Sequence, residues 1–179
     1  MTAMRTIIRA ATKKENEPYN IITLLDENIF PYMAKLSETG NKFYFWESVN
    51  DTKWNDTIVM KPDNFSSIKG QSMPEHLDFD VVLCPNRGFF QFCKNISDFW
   101  HIPIVLLESQ IPTDEYKQFN QQEWLMTKQY EGDINVFVSN EARDEWEQLG
   151  YVIPKDGDNF CDSWNNVLQE SCSLVYTRM

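Results

Sequence analysis

Four pairs of polar side chains each follow a short apolar run: Asp26 and Glu27 after NIITLL, Asn86 and Arg87 after FDVVLCP, Glu108 and Ser109 after IPIVLL, and Ser139 and Asn140 after INVFV. Glu27 and Glu108 are the candidate catalytic groups, since a positioned carboxylate can act as general base toward a hydroxyl nucleophile. Asp26, Asn86, Arg87, Ser109, Ser139 and Asn140 are candidate substrate-binding groups, being types that orient hydroxylated or anionic ligands through hydrogen bonds. Five of them also have a structural use. Glu27 with Asn28, and Asn86 with Arg87, are suited to starting helices, Ser139 to capping one, and Arg87 could pair with Glu108 to tie neighbouring loops together.

The elements that must position these pairs follow from the runs themselves. A parallel strand buried on both faces reads as continuous apolar sequence, and an open parallel sheet gathers its functional loops at the carboxyl ends of its strands. Strands are expected at Tyr19–Leu25, Lys42–Trp46, Phe79–Cys84, Ile104–Leu107, Ile134–Val138 and, briefly, Tyr151–Ile153. Helical periodicity predicts helices at Asn28–Thr39 closed by Gly40, Phe89–Trp100, Gln118–Tyr130 ended by Gly132, and Ala142–Leu149 capped by Ser139 and Gly150. Residues 47–78 read as a long excursion around Ile58–Met60, with one edge strand or short helix. The expected organisation is a polar extension over 1–18, an α/β domain over 19–157 with a mainly parallel sheet flanked by helices on both faces, and a helical tail over 158–179.

Composition bounds the rest. A chain of 179 residues buries roughly 70% of its unfolded surface, so it can fold without metal or disulfide. Cys84, Cys93, Cys161 and Cys172 show no CxxC spacing and read as free thiols, the other readings being a redox or metal role. With His76 and His101 the only histidines, no metal site is expected. There is no phosphate-binding glycine loop, no GxSxG and no HExxH, so no cofactor is expected. The net charge of −11 arises wholly after residue 70, where eighteen acidic side chains face seven basic ones. Such a field repels nucleic acid, and it serves either as solubilising surface or as a mimic of nucleic acid. Apolar stretches of five to seven residues predict no membrane span, and no signal peptide is seen, which places the chain in the cytoplasm.

The succession NIITLLDE, ETGNKFYFW, FDVVLCPNR, IPIVLLESQIP, VFVSNEARDEW and YVIPKDGDNF resembles the amino-terminal, acceptor-side half of GT-B-fold glycosyltransferases of phages and bacteria, over roughly residues 19–160. The resemblance implies a Rossmann-like half fold, a sugar acceptor bound at the carboxyl edge, and a donor-binding domain that would follow where this chain stops. The departures fall on the family's polar motifs. The pair Asp26–Glu27 keeps the acid without the histidine, Ser109 stands in place of a histidine beside Glu108, and Lys155–Asp156 replaces a histidine and glycine.

Three losses of the side chain best suited to proton transfer imply an inactive site. The expected function is therefore a glycosyltransferase-like half domain that binds protein, either a partner or a second copy, as a virion component or host-factor binder. The alternatives are an acceptor-binding subunit completed by a separate donor-binding chain, and an acidic nucleic-acid mimic. Trp146, Tyr151, Phe160, Trp164 and Tyr176, crowded into the last thirty-four residues, are the expected interface aromatics.

Overall fold

The computed structural model describes residues 2–47, 51–70, 72, 74 and 76–177, the side chains of residues 2 and 175–177 excepted. Seven strands form one all-parallel sheet: β1 (Asn20–Thr23), β2 (Lys42–Trp46), β3 (Phe65–Ile68), β4 (Val81–Cys84), β5 (Ile104–Glu108), β6 (Ile134–Phe137) and β7 (Tyr151–Val152), in the order β3-β2-β1-β4-β5-β6-β7. This is a doubly wound, Rossmann-like α/β sheet, and its order reverses between β1 and β4.

Each strand divides its side chains between two cores. Ile21, Val81, Leu83, Val105, Leu107 and Val136 point to one face, where α2 (Phe30–Leu36) and α7 (Phe160–Thr177) cover them. Ile22, Val82, Cys84, Ile104 and Leu106 point to the other, under α3 (Phe90–Trp100). Burial on both faces is why these strands read as unbroken apolar runs, with Val81, Val82, Leu83, Ile104, Val105, Leu106, Val136 and Phe137 all buried.

The long excursion holds the edge strand expected of it, but not at its apolar piece. Ile58 and Val59 lie in a turn, and the edge strand is Phe65–Ile68, whose interior Ser66 and Ser67 interrupt its apolar pattern. Trp54 in this excursion stacks on Phe30 at 4.7 Å and so closes the core beside β2 and β3. The segment after β5 forms two helices, α4 (Asp114–Phe119) and α5 (Gln121–Lys128), rather than one. Thr113 caps α4 through its hydroxyl, which accepts the Tyr116 N–H.

One helix end also differs from the glycine-based reading. Helix α6 (Asn140–Trp146) stops at Glu147, which itself takes the left-handed conformation (φ 52°), so Gly150 is not its cap. Gly150 instead lies against β6, where an added Cβ would come within 2.5 Å of the Asn135 carbonyl oxygen. Gly40 is the left-handed cap expected of it, with φ 79°.

The first eighteen residues hold a helix, α1 (Thr2–Thr12), fixed to the strand ends by ion pairs. The tail helix α7 runs from the carboxyl edge, where Phe160 meets Tyr32, toward the amino edge, where Cys172 approaches the Asp80 carbonyl. It thus covers a sheet face and leaves the carboxyl edge open. Trp146, Phe160 and Trp164 are buried, and Trp164 Nε1 donates to the Tyr32 hydroxyl, which in turn donates to the Ile153 carbonyl. Three of the expected interface aromatics are therefore internal packing. Tyr151 is exposed, and the Tyr176 side chain lies outside the described residues.

Truncating Leu83 or Leu106 to alanine is expected to cost about 2–5 kcal/mol, the range for buried leucines whose sites collapse incompletely. Urea denaturation followed by fluorescence measures it, and a loss below about 0.5 kcal/mol, typical of surface sites, would contradict their burial.

Candidate functional site

The carboxyl edge carries a chain of hydrogen bonds that spans the point where the strand order reverses. Asp26 leaves β1 in an extended conformation, and its Oδ1 accepts the Asn28 N–H at 3.0 Å, capping the short 3₁₀ turn Glu27–Ile29 that leads into α2. Its other oxygen accepts Nδ2 of Asn86 at 2.8 Å, across from the end of β4. An acid thus sits at the first βα turn, the place where doubly wound nucleotide-binding folds present glycine and free N–H groups to a phosphate.

The next residue, Arg87, turns inward. Its Nε donates to Glu108 Oε2 at 3.0 Å, Nη1 donates to the carbonyls of Thr127 (2.9 Å) and Tyr130 (2.7 Å), and Nη2 donates to Gln148 Oε1. The guanidinium plane lies 3.9 Å from the ring centre of Trp146, whose own Nε1 donates to the Gln110 carbonyl. The remaining Glu108 oxygen accepts the Gln110 N–H at 2.8 Å. Both side chains of the pair are almost wholly excluded from solvent, at 3% and 2% exposure.

Burial dominates the electrostatics of this pair. It pushes the Glu108 carboxyl above its ordinary value, against the lowering effects of the Gln110 N–H and the Arg87 charge. It also lowers Arg87, with the Glu108 charge opposing. Cys84, at the end of β4, is raised well above its ordinary value by burial and by the neighbouring Cys93 thiol. A thiol so raised is unreactive, consistent with a core role.

The residues singled out from sequence therefore sort into three groups. Asn86, Arg87 and Glu108 line a cleft of about 400 Å³ together with Gln110, Ile111, Thr113, Tyr116 and Glu123. Ser109 lines a shallower hollow of about 390 Å³ with Asn28, Tyr32, Lys155 and Asp156. Ser139 caps α6 by accepting the Ala142 N–H at 3.1 Å, and Asn140 and Glu27 are exposed. Among the described residues, the candidates Asn86, Arg87 and Glu108 thus line a different hollow from Ser109. Sequence reasoning missed Gln110, Tyr116 and Glu123, which belong to a stretch with no apolar run to mark it, and Gln148, whose only signal is its nearness to Trp146.

Another cavity, of about 380 Å³, lies at the opposite, amino edge beneath α1. Among the described residues, no three His, Cys, Asp or Glu side chains converge as a metal site requires, and no helix is long and apolar enough to cross a membrane. Compared with known families, curated proteins and solved structures, the chain matches none. The fold and edge define a doubly wound α/β domain whose first βα turn is closed by its own carboxylate.

Replacing Arg87 by methionine is expected to cost about 3–5 kcal/mol, because it strands a buried carboxylate, whereas Arg87→Met combined with Glu108→Leu recovers most of that loss. Chemical denaturation of the two single variants and the double variant gives the coupling. Because the folded carboxyl is raised, the native state holds its proton at higher pH than the unfolded chain does. The stability of the wild type relative to Glu108→Gln is accordingly greatest below the ordinary carboxylate value and falls as pH rises through the folded one. A pH series of unfolding midpoints reads this slope, and a rise over the same window would contradict it.

Proposed function

We propose that this chain is a glycosyltransferase-like half domain of the GT-B type that has given up catalysis and acts by binding protein. The observation that carries the reading is the occupation of its best candidate base. Both Glu108 oxygens are engaged by Arg87 Nε and the Gln110 N–H, in a pair closed to solvent. A general base must reach the proton it removes, and this one is turned into the fold. Glu27, the other candidate, is exposed.

The binding reading draws further support from the segment that walls the cleft. Residues 108–150 contain ten acidic and three basic side chains, and Phe119, Leu125, Met126 and Leu149 in it are more than half exposed. Helix α5 carries Trp124 inward and Leu125 and Met126 outward, an arrangement that leaves apolar surface uncovered by the described residues. A protein partner with an apolar, basic surface fits that composition. Trp164 has no place in it, being buried against Tyr32.

The open cleft, with Asn86, Gln110, Thr113 and Tyr116 around it, keeps a second reading in view: an acceptor-binding subunit that needs a separate donor-binding chain. Both readings leave the donor site to another chain, and calorimetric titration with UDP-sugars and GDP-sugars tests that shared premise. The isolated chain is expected to show no saturable micromolar binding, and such binding would overturn the inactive reading. For the binding surface, light scattering of the pure protein and of Leu125→Asp/Met126→Asp is the measure. Self-association lost in the variant supports that surface. A strict monomer would exclude the second copy and leave crosslinking to a partner, abolished by the same variant, as the required result.

A further inference from the structure

We propose that α1 is a surface-binding helix which the domain holds in reserve on Asp78 and Asp80, and that its target is an anionic lipid surface. The first fourteen residues carry four basic side chains and no acidic one, whereas residues 15–179 carry twelve basic and twenty-seven acidic, a balance of +4 against −15. At about 100° per residue, Ala3, Met4, Ile7, Ile8 and Ala11 fall on one face of this helix, with Arg5, Arg9 and Lys13 on the opposite one.

The docked position uses only one flank of the apolar face. The residues turned toward the domain are Ala3, Thr6, Ile7, Arg9 and Ala10, along the seam between the two faces, and none is fully buried. Met4 remains 68% and Ile8 55% exposed. What fastens the helix is polar: Arg5 to Asp78 at 2.6 Å, Arg9 to both oxygens of Asp80 at 2.7 and 2.9 Å, and Thr6 to the Trp100 carbonyl. Beneath Ala3 and Ile7 lies the cavity of about 380 Å³, bounded by His101, Ile104 and Leu174, so the apolar seat is underfilled. Partly exposed ion pairs over an underpacked seat make a fastening that another anionic surface can replace.

Released, an eleven-residue helix is not stable in water by itself and needs a surface that meets both of its faces. An anionic bilayer does so, taking Met4, Ile7 and Ile8 into its interface and Arg5, Arg9, Lys13 and Lys14 among its phosphates. The apolar face consists of alanine, methionine and isoleucine side chains with no aromatic anchor. That suits partition into a fluid surface better than insertion into a protein pocket.

The test is vesicle cosedimentation of the full chain with phosphatidylcholine alone and with equimolar phosphatidylcholine and phosphatidylserine. The wild type is expected to partition at least about tenfold more strongly onto the anionic vesicles, and less as salt is raised. Asp78→Asn, at a half-exposed site, strengthens binding by loosening the fastening, and Ile8→Asp, at an exposed site, abolishes it without unfolding the domain. Equal partition onto both vesicle types, binding unchanged in Ile8→Asp, or no binding even by Asp78→Asn would each overturn the proposal. So would an Ile8-dependent dimer in light scattering with no vesicle binding, since the face would then belong to a second copy.

Discussion

A guanidinium removed from water must find partners for nearly all its N–H groups, and the position of Arg87 is the constraint to which the carboxyl half of this sheet conforms. Its acceptors come from four places: the end of β5, the end of α5, the loop before β6 and the loop before β7. Arginine suits this because its planar fork makes several directed bonds from one charge, which a lysine ammonium could not reproduce. The arrangement also fixes what the edge can do, since the same bonds that hold the loops together occupy the carboxylate that chemistry would need.

The amino edge is built on the mirror-image logic of a buried carboxylate. Asp80, just before β4, accepts the Asn20 N–H at 2.7 Å and both Arg9 contacts, with Lys13 at 3.4 Å. One charged residue at each end of β4 therefore organises its surroundings, with opposite signs at opposite ends. The difference lies in exposure. Arg87, 3% exposed, is held by Glu108, Gln148, Trp146 and main-chain carbonyls, whereas Arg9 belongs to a helix with no buried residue among those described, and Lys13 follows that helix.

Much of this architecture is legible in the sequence, for identifiable reasons. Strands β1, β4, β5 and β6 are buried on both faces, so their runs cannot be mistaken for alternating or helical patterns. Strand β3 escapes because an edge strand needs only Phe65 and Ile68 inward, and two serines fill the space between. The end of α6 escapes because nothing about a glutamate announces positive φ. At the site, the Arg87–Glu108 pair is readable as one of two alternatives, but three of the four other acceptors and donors around it are main-chain atoms. Main-chain groups have no sequence signature, so a network built on them becomes visible only in coordinates.

The close approach of Gly150 to the Asn135 carbonyl bears on how the β6 side of the sheet is protected. Strand β7 is only two residues long, yet it is the sole cover for the hydrogen-bonding edge of β6, whose four residues are all buried. Any side chain at 150 would push that cover away and bare an apolar strand edge able to recruit another chain. The smallest residue in the protein thereby guards against fibrillar stacking, a hazard distinct from loss of the fold itself.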